Sequence, residues 1–100
     1  MAAIKPDIIV SLRFYTTAEG GRKGSLSQEK FGCPFEFQEV LFDCRLLLEE
    51  TGALTPGAKA TVPVIFLRPD LIKARLQVGS RFTLWEMGTI AEGVVQDILV

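Results

Sequence analysis

Gln38-Glu39-Val40-Leu41-Phe42-Asp43-Cys44-Arg45-Leu46-Leu47-Leu48-Glu49-Glu50 is the stretch on which the fold class turns. Val40, Phe42, Cys44, Leu46 and Leu48 alternate with Leu41, Asp43, Arg45 and Leu47, the two-residue period of a strand with one buried face. Leu41, Cys44, Leu47 and Leu48 also fall at helical spacing, so a helix over Gln38 to Glu50 competes with it. Strand is the favoured reading, although this segment by itself leaves both open.

Outward from that segment, the period is two almost everywhere. Across Asp7 to Thr16, Ile8, Val10, Leu12 and Phe14 alternate with Ile9, Ser11, Arg13 and Tyr15. Phe31 to Phe37, interrupted by Gly32 and Pro34, reads as a short, irregular strand. Thr61 to Leu67 is β-branched and aromatic, hence a strand; Pro63 cannot donate to a ladder, which predicts an edge or a bulge there. Arg81 to Glu86 alternates again and Gly88 ends it, and Ile90 to Val100 closes the sequence with a strand containing Gly93. Glu19-Gly20-Gly21-Arg22-Lys23-Gly24-Ser25 is a loop continuing to about Lys30. Thr51-Gly52 and Thr55-Pro56-Gly57 mark a turn, the Pro-Gly pair fitting the centre of type II. Leu71 to Leu76 reads as a short helical turn or an extended connection. With no repeat, linker or compositional break, residues 1–100 are expected to form one all-β domain, a small antiparallel barrel or sandwich of five or six strands.

Composition narrows function mainly by exclusion. The 100 residues carry 11 Lys+Arg, 12 Asp+Glu and no His, for a net charge of −1. That balance argues against a protein that coats nucleic acid, since phosphate binding needs a basic excess or face. Without His, there is no Ser–His or Cys–His nucleophile pair and no His-based zinc site. Cys33 and Cys44 fall short of a disulfide framework or a four-Cys metal site, and read as reduced thiols of a cytoplasmic protein. The start, Met1 to Val10, lacks a signal-peptide pattern, and no run approaches the ~18 apolar residues of a membrane helix. The expectation is a cytoplasmic protein with no membrane association, no metal and no cofactor.

Gly20 to Ser25 fails the spacing of a phosphate loop, because Arg22-Lys23 precede Gly24 and no helical run follows. A flexible β–β loop is the plainer reading; the functional one is an RNA-backbone contact by Arg22 and Lys23. Glu49 and Glu50 point to opposite faces if extended, and Asp70, Glu86 and Glu92 lie near separate turns, so no catalytic residue is assigned. Cys33, placed in a loop after Gly32, would need a cation such as Lys30 nearby to be reactive, and a structural role is simpler. If Phe82 and Leu84 face the core, Thr83, Trp85 and Met87 point outward. An outward Trp beside a Met has the composition of a binding hot spot, the plainer alternative being a Trp that covers an open barrel end.

Taken in order, these pieces are similar to a known domain. Ala18-Glu19-Gly20-Gly21-Arg22 after a strand, Pro34 with Phe35 and Phe37, Thr55-Pro56-Gly57, and Val62, Val64, Leu67 and Pro69 resemble the C-terminal β-barrel domain of elongation factor Tu. The likeness continues through Gly79-Ser80-Arg81-Phe82-Thr83-Leu84, Glu86, Gly88 and Gly93-Val94-Val95, from about Asp7 to Leu99. It implies a six-stranded antiparallel barrel and a strand over Gln38 to Glu50. In that family the barrel helps to hold aminoacyl-tRNA, docks on the GTPase domain and receives the nucleotide exchange factor. No nucleotide-binding motif occurs here, so GTP hydrolysis and full tRNA delivery are not expected. Part of the family's RNA contact lies around the segment matching Glu86 and Gly88, where arginines flank the Glu. Here Trp85 and Ile90 stand near those places and Met87 replaces a glycine, which weakens a phosphate contact and favours a protein partner.

The expected function is therefore non-enzymatic protein binding through Thr83, Trp85 and Met87, with the link to translation that the resemblance implies. One alternative is RNA-backbone binding by Arg22, Lys23, Lys30 and Arg81 with Glu86 and Gly88. Another is a decoy of the elongation factor or a toxin-immunity protein.

Overall fold

The computed structural model describes residues 5–21, 30–49, 51 and 54–99. They form a closed six-stranded antiparallel β-barrel: β1 (Ile8–Phe14), β2 (Lys30–Phe37), β3 (Val40–Leu47), β4 (Lys59–Phe66), β5 (Arg81–Trp85) and β6 (Thr89–Ile98). Around the barrel the order is β1-β4-β3-β2-β5-β6, with β6 returning to β1. The disputed stretch from Gln38 is strand from Val40 to Leu47, with Cys44, Leu46 and Leu48 buried. A two-residue turn joins it to β2. Gln38 (φ +52) and Glu39 (φ +66) both adopt positive φ, the pattern that matches the right-handed twist of a hairpin. The Arg75 guanidinium donates to the Gln38 side chain at 2.9 Å and lies 5.9 Å from the Phe42 ring, tethering this strained turn.

β2 corrects the expectation of a short, irregular strand. It pairs with β3 without interruption from Lys30↔Leu47 to Phe37↔Val40. Gly32 and Pro34 share its outward face, and β5 pairs with β2 only at Phe35 and Glu36. Pro34 thus lies where no β5 ladder bond is broken by its missing N–H. Cys33 is consequently not in a loop but faces the core from β2. Pro63 behaves as the sequence predicts for an edge: it pairs with Ile9 of β1, while β3 meets β4 only from Val64 to Phe66. The Pro56-Gly57 turn is closed by the Ala58 N–H donating to the Thr55 carbonyl at 3.0 Å. Between β4 and β5 the chain is helical, with α1 (Pro69–Ile72) followed by a 3-10 turn (Lys73–Arg75). Asp7 fastens this end: its carboxylate accepts from the Phe66 N–H at 2.8 Å and stands 3.4 Å from the Lys73 ammonium.

The interior is organised by aromatic rings. Phe35 stacks on Phe82 at 4.1 Å between centroids and meets Phe66 edge-on at 5.0 Å. Such pairs contribute about 0.5–1.5 kcal/mol each beyond the area they bury. Phe82 fits because its β6 partner is Gly93. A Cβ at Gly93 would lie 2.5 Å from Phe82 Cζ, 2.8 Å from the Ser11 carbonyl oxygen and 2.9 Å from a Leu12 methyl. Gly93→Ala should therefore cost about 1–3 kcal/mol, the usual penalty for overpacking a filled interior. Urea denaturation checks this, and adding Phe82→Leu should restore part of the loss; a fully additive pair of effects would show that the ring is not what crowds position 93.

Candidate functional site

Because the barrel twists, outward residues of five strands line up in one row. Glu36 of β2 lies opposite Thr83 of β5, Thr83 opposite Glu92 of β6, Glu92 opposite Arg13 of β1, and Arg13 opposite Lys59 of β4. The Thr83 hydroxyl donates to Glu36 Oε1 at 3.0 Å, and Arg13 Nε donates to Glu92 Oε1 at 3.0 Å. These residues floor a concavity of about 550 Å³ that Glu39 and Arg81 also line. Three cations (Arg13, Lys59, Arg81) face three carboxylates (Glu36, Glu39, Glu92) across it, so its charges balance.

At one end of the row, Arg13 grips Glu19 with two parallel bonds of 3.0 and 3.3 Å. Glu19 belongs to a capping box. Thr16 Oγ1 accepts the Glu19 N–H at 3.2 Å, and Glu19 Oε1 accepts the Thr16 N–H at 2.9 Å. The 3-10 turn Thr17–Glu19 then ends at Gly20, which is left-handed (φ +93), and a Cβ on Gly21 would run into the Tyr15 carbonyl. Glu19-Gly20-Gly21 is thus an ordered structural device. The Arg13 bond, followed by the Thr16 N–H, lowers the Glu19 pKa from 4.5 to about 2. The sequence carried a signal for it, the Ser/Thr-x-x-Glu spacing from Thr16 to Glu19.

The residues expected to bind a partner are separated in level rather than direction. Thr83 points outward but is half-buried and engaged by Glu36. Trp85 ends β5, 39% exposed, where the register with β6 shifts: Leu84 pairs with Ala91 and Trp85 with Thr89. The extra residue, Ile90, lets Ile90 and Ala91 both face inward while the outward row lifts at Trp85. Met87 is outward for a reason the alternation did not supply. It lies beyond the strand in the β5–β6 turn, left-handed (φ +53) and 95% exposed. The turn closes through the Glu86 N–H, which donates to the Gly88 carbonyl at 2.8 Å.

The proposed RNA-contact residues are dispersed. Arg81 lines the balanced concavity, Glu86 and Gly88 sit in the turn at the far end of β5, and Lys30 opens β2 opposite Leu47. Arg22 and Lys23 lie outside the described residues. Asp70 pairs with the exposed Arg68 at 2.9 Å, and no group of three metal-ligating side chains occurs among the described residues. No described helix is long and apolar enough to cross a membrane. The sequence reading missed further exposed apolar residues, Val40 and Leu41 after the β2–β3 turn and Leu67, Leu71 and Val78 along the β4–β5 connection. Comparison of the chain with protein-family models and with curated proteins finds no match in either.

The Arg13–Glu19 pair has a pH signature. A carboxylate whose pKa falls on folding stabilises the fold above its unfolded value, and that contribution is lost as pH drops through the folded value. Wild type should therefore exceed Glu19→Gln in thermal midpoint at neutral pH, with the difference closing as pH falls from 4.5 towards about 2. Parallel melting curves across that window would count against the pairing.

Proposed function

We propose that this barrel is a non-enzymatic protein-recognition module that engages its partner through the β5–β6 turn, with Trp85 and Met87 as anchors. The observation that carries the reading is Met87. A bulky residue in the left-handed region costs about 1–2 kcal/mol relative to glycine's freedom there. Here that strain holds an apolar side chain 95% in solvent. The hairpin turn, closed by the Glu86 N–H to the Gly88 carbonyl across Met87, accounts for the backbone. The 95% exposed side chain has no such internal use, which points to a role in contacts outside the chain. Trp85, two residues away and partly exposed at the lifted end of β5, supplies a rigid aromatic surface of the kind that dominates interface energetics.

The likeness to the C-terminal barrel of elongation factor Tu supports a partner in or around translation, and the six-stranded barrel is compatible with it. RNA binding is the weaker reading, because the described concavity offers as many carboxylates as cations.

Affinity capture from a native extract, comparing wild type with Met87→Asp and Trp85→Ala, tests the proposal. The expected result is a set of proteins retained at high salt by wild type and lost with either variant. Each substitution should cost about 2 kcal/mol or more, on the order of thirty-fold in affinity. Identical recovery by all three baits would remove the turn as the site. Salt-sensitive recovery of RNA would favour the alternative.

A further inference from the structure

We propose that Cys33 and Cys44 form a latent cross-strand disulfide site, which closes when the folded chain meets a low-molecular-weight disulfide oxidant. The two cysteines are direct partners in the β2–β3 register. Both side chains face the interior, 5% and 0% exposed, and the Cys44 thiol donates to the Cys33 carbonyl at 3.2 Å. Antiparallel partners stand about 4.5–5.5 Å apart at Cα, which lies within the roughly 4.4–6.8 Å that a disulfide spans. Neither sulfur takes part in the aromatic stack or the outer polar row.

The hairpin's attachment provides access. β2 and β3 hold each other over their full length, whereas the hairpin joins the rest of the barrel through short seams. β2 meets β5 at Phe35↔Leu84 and Glu36↔Thr83, and β3 meets β4 at Cys44↔Phe66, Arg45↔Ile65 and Leu46↔Val64. Cys33 lies in the half of β2 with no β5 partner, so parting there breaks no β2–β5 pair. Segments held by few ladder bonds open at lower free energy than the whole domain.

Cys33, the more exposed of the two residues, reacts first. Its thiolate attacks the oxidant's S–S bond, forming a mixed disulfide and releasing one small thiol. Cys44 then loses its proton to solvent, attacks Cys33 Sγ and expels the second small thiol. Two electrons leave the protein on the two released small thiols, and the two protons that the cysteines give up to solvent balance those that the leaving thiolates take up. Contact with Cys33, followed by burial, holds the Cys44 pKa well above the ordinary thiol range and makes it the poorer first nucleophile.

The test is incubation of the full-length folded protein with oxidised glutathione, followed by acid quenching, intact mass and thiol titration in denaturant. The expected product is a monomer lighter by two hydrogens, with both thiols lost and both restored by reductant. Cys44→Ala should stop at a glutathione adduct on Cys33. Two titratable thiols surviving in wild type, while a denatured control oxidises, would overturn the proposal. So would persistent glutathione adducts or disulfide-linked dimers of wild type, and these results do not depend on the variant folding.

Discussion

The Phe82 ring occupies the space that any side chain at Gly93 would need. That contact sets the rest of the interior. It brings β5 close against β6, lets Phe35 of β2 stack on Phe82, and through Phe35 reaches Phe66 of β4. One glycine without a Cβ therefore allows a run of three rings to cross the barrel. Interiors pack at crystal-like density, so a single extra methyl at this point has nowhere to go.

Once β5 is fixed, its outward residues are fixed as well. Phe82 and Leu84 are buried, which turns Arg81, Thr83 and Trp85 to the outside, Thr83 half-buried and the other two exposed. Thr83 is absorbed into the polar row with Glu36, and Arg81 lines a concavity whose charges cancel. The apolar character of this face is concentrated where the ladder slips a residue and the chain turns, at Trp85 and Met87. The proposed recognition surface is set by a register shift and a left-handed turn residue, both anchored by the same packed interior.

Much of this was legible from alternation, because each strand buries one face. In the ambiguous segment the burial period holds from Cys44 to Leu48, whereas Val40, expected on the buried face, is exposed beside the turn and Phe42 is half-buried. Pro63 announced an edge correctly, since a missing N–H is a local fact with a local consequence. Pro34 and Gly32 misled for β2: whether a proline disrupts a strand depends on which neighbour its nitrogen would have faced, and that is set by partners distant in sequence. The same limit hid the polar row, whose members come from five strands, and the facing of Cys33 and Cys44. Met87 was placed outward by extending the strand alternation past its end; the exposure is right, but its cause is a left-handed turn that periodicity does not describe. Thr16 to Glu19 did carry a readable pattern, a helix-start signature running from the expected end of the first strand into the first residue of the glycine-rich loop.

The central claim is that the tip of the Phe82 ring packs against Gly93 and thereby organises the barrel interior. Proton NMR of the folded protein tests it most directly. The expected result is a pronounced ring-current shift of the Gly93 α-protons, with Overhauser contacts from the Phe82 ring to Gly93, to a Leu12 methyl and to Phe35. Gly93 α-protons at ordinary β-sheet positions, with no contact to the Phe82 ring, would contradict it.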